Sequence, residues 1–212
     1  MNELLLSEFK LYLKAIKALD YTKKIRAFKQ FIESDVQKGI TYNEILDFID
    51  IRFGFQTRWR IFSNLIRKNY PVNKYKKILE ISAGYPVYLS RSLTKYGYNC
   101  LAYDPRINEN IRIPYKKELF DYRTAENLGF DLIIGQKACE GVEHGVRFGI
   151  KHKIPFVFEL CITNHHKTIH DERKFKSSNE FYKYLLEVAQ GSAVIEEFTR
   201  SNKKMLILRS KQ

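Results

Sequence analysis

Apolar positions in the first seventy residues recur three and four apart, which is the spacing of one face of a helix. Leu5, Phe9, Tyr12, Ile16 and Leu19 make one stripe, and Tyr21, Ile25, Phe28 and Ile32 make a second after Asp20. Thr41 with Glu44 three residues on is a capping-box pattern, and it opens a third stripe at Tyr42, Ile45, Leu46 and Ile49. A fourth carries Phe55, Trp59, Phe62 and Ile66, with Pro71 just past its end. Trp59 falls on the apolar seam, which makes it a core residue. The pattern predicts a helical module over residues 1–72, ending in the polar stretch 70–76.

From residue 73 the pattern changes to short apolar runs separated by helix-like stretches. Lys77-Ile78-Leu79-Glu80-Ile81 reads as a strand and Ser82-Ala83-Gly84 as a small-residue turn. Residues 85–96 have helical spacing at Leu89, Leu93 and Tyr96, stopped by Gly97. Asn99-Cys100-Leu101-Ala102-Tyr103 is a second strand, running into Asp104 and Pro105. This is one strand, helix, strand unit of a parallel sheet.

Such a unit suits an adenosine-containing ligand. Small residues at the turn let backbone approach the ligand, and an acid closing the second strand can accept hydrogen bonds from a ribose diol. Gly84 and Asp104 have the separation this needs. Ser82 and Val87 fill the places of two of the three glycines of a dinucleotide fingerprint, which argues against NAD or FAD.

The run Glu80-Ile81-Ser82-Ala83-Gly84-Tyr85-Pro86, followed by Tyr103-Asp104, resembles the first two motifs of class I S-adenosylmethionine-dependent methyltransferases. Ser82 and Pro86 stand where that family has its first and third glycine, and Gly84 is the middle one. The resemblance implies a Rossmann-like, mostly parallel sheet, S-adenosylmethionine as cofactor, and Glu80, Ser82, Gly84 and Asp104 as the residues that hold it.

Further along, residues 111–113 predict a third strand before Pro114, and residues 121–128 a short helix. In a fold of this family Glu118 to Asp121 would lie beside the adenine ring. The strand at residues 131–134 ends in Gly135-Gln136-Lys137-Ala138-Cys139-Glu140, which should face the same crevice as Gly84 and Asp104. Its Gly-x-Lys-x-Cys core, with the sequence that follows as far as Cys161, is similar to a subgroup that includes a tRNA ribose methylase family with a Lys-His-Leu-Cys-Gly motif. Ala138 and Glu140 replace that motif's Leu and Gly, and its His is absent. Lys137 and Glu140 are the catalytic candidates, because transfer to a hydroxyl needs a base for the acceptor's proton. The alternative makes Lys137 a salt-bridged loop residue and Cys139 a buried filler.

Gly141, Gly145 and Gly149, spaced by four, would bare one face of a helix for close packing on the sheet. Residues 155–158 form another buried strand. Ser177 and Glu180 cap a last helix that Gly191 ends, and strands at residues 193–199 and 204–208 close the chain as a hairpin. A closing hairpin is how the methyltransferase fold adds its antiparallel seventh strand.

Composition adds the question of partners. The 37 Lys and Arg against 24 Asp and Glu give a net charge of +13, spread along the chain without a basic tail. That excess favours a polyanion, and RNA is the expected acceptor. Arg52, Arg58, Arg60, Arg67 and Lys68 on the third and fourth helices are candidates for phosphate contact. Cys100, Cys139 and Cys161 are widely spaced and odd in number, as in a reduced cytoplasmic protein. No apolar run approaches the roughly 20 residues needed to span a bilayer. Cys161, His165, His166 and His170 match no structural zinc spacing, so no metal site is expected. The residues leave two rivals open: the same chemistry on a small molecule or protein, and a binding module that keeps the fold without catalysis.

Overall fold

The computed structural model describes residues 6, 7, 9, 10, 13, 14, 18–36, 56–84, 87–107, 112–139, 141–161, 175–200 and 203–211. The chain divides into two compact units, residues 1–61 with 199–204 and residues 62–198 with 205–212.

In the first unit, helix α1 (Tyr21–Val36) buries Phe28, Phe31 and Ile32, and the Phe28 ring stacks on Phe9 at 4.0 Å. Leu13 is buried as well, whereas Leu19 is 84% exposed. Leu19 lies in the turn ahead of α1, where Asp20 is left-handed (φ 56°), so the apolar stripe stops short of it. Helix α2 (Arg58–Asn69) starts with Trp59 buried, as its place on the seam predicts. Arg58 donates to the Lys204 carbonyl at 3.1 Å. The expected third helix at Thr41, and Leu5, Tyr12, Ile16, Arg52 and Phe55, lie outside the described residues.

The second unit is built on a seven-stranded sheet of order β3-β2-β1-β4-β5-β7-β6. Its strands are β1 (Lys77–Ile81), β2 (Asn99–Tyr103), β3 (Tyr115–Lys116), β4 (Leu132–Gln136), β5 (Phe156–Glu159), β6 (Ala193–Arg200) and β7 (Lys203–Ser210). Neighbours from β3 to β5 pair in parallel, and β7 runs antiparallel against β5. This is the Rossmann-like sheet with a closing antiparallel hairpin that the sequence predicts.

The sheet's core strands are apolar because helices cover both faces. Phe156 and Phe158 point toward helix α4 (Gly141–His152), and Gly141, Gly145 and Gly149 make that approach possible. A Cβ on Gly149 would stand 2.8 Å from the Phe156 ring, and one on Gly145 would run into the Phe158 ring and Ile81. Helix α5 (Ser178–Val188) packs beside α4 and is capped by the Ser177 hydroxyl, which accepts from the Glu180 amide at 3.3 Å. Buried between them, Glu143 accepts from Arg147 at 2.8 Å and from the Tyr184 hydroxyl at 2.6 Å. On the sheet's other face lies helix α3 (Tyr88–Thr94).

Three elements differ from expectation. The third strand is Tyr115–Lys116, after Pro114 rather than before it. Pro114 has no N–H to donate but its carbonyl accepts from the Ala102 amide at 3.1 Å, so the ladder starts there. Residues 121–128 form a single turn, not a helix: the Asp121 carbonyl accepts from the Thr124 and Ala125 amides, and the chain goes on as coil to Gly129. Helix α3 begins at Tyr88 and ends at Thr94, shorter at both ends than its apolar spacing suggests. Val87, the residue before it, is left-handed at φ 60°, and the Tyr96 and Gly97 amides close a tight turn onto Leu93 and Thr94.

Candidate functional site

Parallel register brings the carboxyl ends of four strands into one row. Ile81 pairs with Tyr103, Glu80 with Ile134, and Gln136 with Glu159. Ser82, Asp104, Gln136 and Glu159 therefore follow or end neighbouring strands along one rim, the position where open parallel sheets bind ligands.

The turn after β1 keeps the shape of a glycine turn although a serine occupies its first position. Ser82 is left-handed at φ 55° and Gly84 at φ 66°. Among the described residues an added Cβ on Gly84 would meet nothing nearer than the Arg106 guanidinium at 3.9 Å. Glycine at this point keeps both the left-handed backbone and a cradle that a side chain would fill.

Asp104 ties this turn to β2. Its carboxylate is 2% exposed and each oxygen carries two hydrogen bonds. Oδ2 accepts from the Gly84 amide at 2.9 Å and from Arg106 Nη2 at 2.8 Å. Oδ1 accepts from the Arg106 amide at 2.8 Å and from Arg106 Nε at 2.9 Å. Burial would raise this carboxyl's pKa, but the Arg106 side chain, its amide and the Gly84 amide together bring it below the ordinary value.

Glu80 plays a different part from Asp104. It is 1% exposed and turned toward α3, where the Ser90 amide donates to it at 3.0 Å and the Ser90 hydroxyl donates to the same oxygen. Burial pushes its carboxyl up to about 7, against the pull of the two Ser90 bonds. In this arrangement Glu80 ties β1 to α3.

On β4's side of the rim, Lys137 is exposed and left-handed at φ 51°, and its amide donates to the Glu159 carbonyl at 2.8 Å. Cys139 is left-handed too (φ 46°), with its thiol 3.4 Å from the Lys137 carbonyl and near enough to Arg106 to feel its charge. Cys139 is half-buried rather than a core filler. Glu140, His165, His166 and His170 lie outside the described residues, and Cys161 is half-buried at the end of β5. Among the described residues no cluster of His, Cys, Asp and Glu could hold a metal ion.

No family model matches the chain, and no curated protein matches it. Among solved structures it is similar to an S-adenosylmethionine-dependent methyltransferase from Clostridium acetobutylicum, at 13% identity over 80% of this chain and 98% of the other, with a TM-score of 0.48. It is also similar to the ribosomal protein L11 methylase of Lactobacillus delbrueckii subsp. bulgaricus, at 14% identity over 74% and 81%, TM-score 0.49. A third is the 1,6-didemethyltoxoflavin-N1-methyltransferase of Burkholderia thailandensis, at 13% identity over 88% and 89%, TM-score 0.48. Likeness at this level bears on neither ligand nor reaction, which rest on the chain's own residues.

The segment expected beside an adenine ring divides its residues. Phe120 turns into the core, edge-on to Tyr103 at 5.1 Å, while Glu118, Leu119 and Asp121 line a polar cavity of about 320 Å³ with Tyr103, Lys116 and Thr124. Asp121 is held down to about 2 by Arg123, with burial opposing, and stands 3.5 Å from His144 Nδ1. The cavity opens beside β2 and β3.

Two features of the rim escaped the sequence reading. Arg106 was one cation among 37, yet an Asp-Pro-Arg run at a strand end has the spacing of a turn in which the acid accepts from the residue two on. Glu159 is a fully buried carboxylate that accepts from Gln136 Nε2 at 2.6 Å. Its signal was a lone acid closing the all-apolar run Phe156-Val157-Phe158.

Proposed function

We propose that this chain is an S-adenosylmethionine-dependent methyltransferase whose acceptor is RNA. The observation that carries the reading is the hydrogen bond from the Gly84 amide to Asp104, which joins an open glycine turn to a buried acid at the ends of adjacent parallel strands. Asp104 would take the ribose hydroxyls, and Gly84 with Ser82 would give the backbone room for the ligand. Glu80 ties β1 to α3 through Ser90.

S-adenosylmethionine supplies a methyl group already activated by a positively charged sulfur. The protein's share is then to align the acceptor, exclude water and receive a proton. Lys137, exposed at the end of β4, is the base in this reading when neutral, with Glu140 as its alternative. The net charge of +13 supports an RNA acceptor, and the wide spacing and odd number of the cysteines suit a reducing, cytoplasmic setting. Among the described residues no helix is long and apolar enough to cross a membrane.

A second reading, a binding module without catalysis, is favoured by one observation: the Arg106 side chain already engages both oxygens of Asp104. Isothermal titration with S-adenosylhomocysteine tests the cofactor. Binding that weakens at least about tenfold in Asp104→Ala supports the proposal, since loss of a charged acceptor costs about 1.5–3 kcal/mol. Absence of binding in folded protein would sink it. Methyl transfer from labelled cofactor to RNA, weakening steeply with salt, then separates an RNA acceptor from a small molecule or protein.

A further inference from the structure

We infer that Arg106 is a built-in competitor for the ribose site: its guanidinium holds the two positions on Asp104 that a vicinal diol must take, and a ligand enters by displacing it. The inference rests on the cofactor reading above.

Asp104 has four acceptor positions, and all four are taken. A carboxylate offers about four lone-pair positions, two on each oxygen. In Asp104 two are filled by backbone amides, Gly84 on Oδ2 and Arg106 on Oδ1. These belong to the turn itself and stay when the side chain of residue 106 moves. The other two are filled by Nε on Oδ1 and Nη2 on Oδ2. A vicinal diol brings two adjacent O–H donors, one for each oxygen, so the forked guanidinium and the diol present the same pattern to the same atoms.

Position and freedom agree with this. Among the described residues Arg106 Nη2 is the atom nearest to the space beside Gly84, at 3.9 Å from an added Cβ, so the guanidinium borders the cradle. Its side chain is 72% exposed against 2% for Asp104, which leaves it a path into solvent while the acid stays fixed. The pair is a bidentate, charge-assisted one, and its exposed half limits what breaking it costs. Arg106 thus keeps a buried carboxylate paired when no ligand is bound and sets how tightly a diol must bind to replace it.

The test is calorimetric titration of wild type, Arg106→Ala and Arg106→Lys with S-adenosylhomocysteine, adenosine and 2′-deoxyadenosine. Removing a competitor of about 1 kcal/mol should tighten binding of S-adenosylhomocysteine and adenosine about fivefold in Arg106→Ala. The gain should be smaller for 2′-deoxyadenosine, which lacks one of the two donors. Arg106→Lys keeps the charge but not the fork, and should show part of the gain. Equal or weaker binding in both variants, with wild type binding normally, overturns the competitor and leaves the cofactor reading standing. Failure of every protein to bind any of the three ligands overturns both.

Discussion

Ser90 donates its backbone amide and its hydroxyl to one oxygen of Glu80, fastening the start of α3 to β1. The pair holds in place an acid that burial has pushed up to about 7 from an ordinary 4.5. Between those values the folded protein keeps a proton that the unfolded chain has released. Stability from this group is therefore greatest below pH 4.5 and falls as pH rises through 7, by about 3 kcal/mol in all. Glu80→Gln, which still offers Ser90 an acceptor, should remove that decline and exceed wild type in stability at pH 8. Urea unfolding of both proteins at pH 5 and pH 8 measures it, and parallel pH trends would refute it.

The glycine face of α4 predicts a second effect. Gly145→Ala puts a methyl group into the Phe158 ring and Ile81, which belong to the buried core. Overpacking of this kind costs about 1–3 kcal/mol. Gly191→Ala is the comparison: among the described residues nothing lies within 4 Å of an added Cβ, so only its left-handed backbone (φ 77°) should be felt. Thermal unfolding should rank Gly145→Ala below wild type, and an unchanged midpoint would mean that α4 can lift away from the sheet.

Tyr184→Phe takes a hydroxyl from a fully buried carboxylate. Glu143 then keeps Arg147 but loses the 2.6 Å bond from α5, and Arg147 loses its contact with the same hydroxyl. Leaving a buried polar group short of a partner costs about 1–3 kcal/mol. Denaturant unfolding should show that loss at pH 7, with binding of S-adenosylhomocysteine unaffected, since the network lies on the face of the sheet that α4 and α5 cover.

Lys137→Ala separates chemistry from binding. If Lys137 takes the acceptor's proton, turnover on RNA should fall about 100-fold or more while affinity for S-adenosylhomocysteine stays within about twofold. A variant with wild-type turnover would pass the role to Glu140.

Much of this architecture was written in local pattern. The apolar runs of β1, β2 and β4, the Ser177 cap, the spacing of Gly141, Gly145 and Gly149, and the closing hairpin each follow from residues near in sequence, and each is where it was expected. What escaped depends on partners far away or on backbone shape. The place of β3 depends on Ala102 finding the Pro114 carbonyl. Of the candidate site, the link from Gly84 to Asp104 was legible as spacing. The occupation of Asp104 by Arg106 was not, because a surface arginine and a latch look alike until both oxygens are seen.

Among the described residues, four of the seven non-glycine residues with positive φ are Ser82, Val87, Lys137 and Cys139, all just beyond β1 and β4. Each holds a side chain where the backbone costs about 1–2 kcal/mol, and glycine would relax it at Ser82, Lys137 and Cys139, whereas at Val87 it would empty a buried apolar position. A chain selected for endurance alone would drift toward glycine at Ser82, Lys137 and Cys139. Heat-resistant descendants of this protein should be easy to breed by such changes, and they should be poorer binders, because the rim would have become cheaper and less well defined at once.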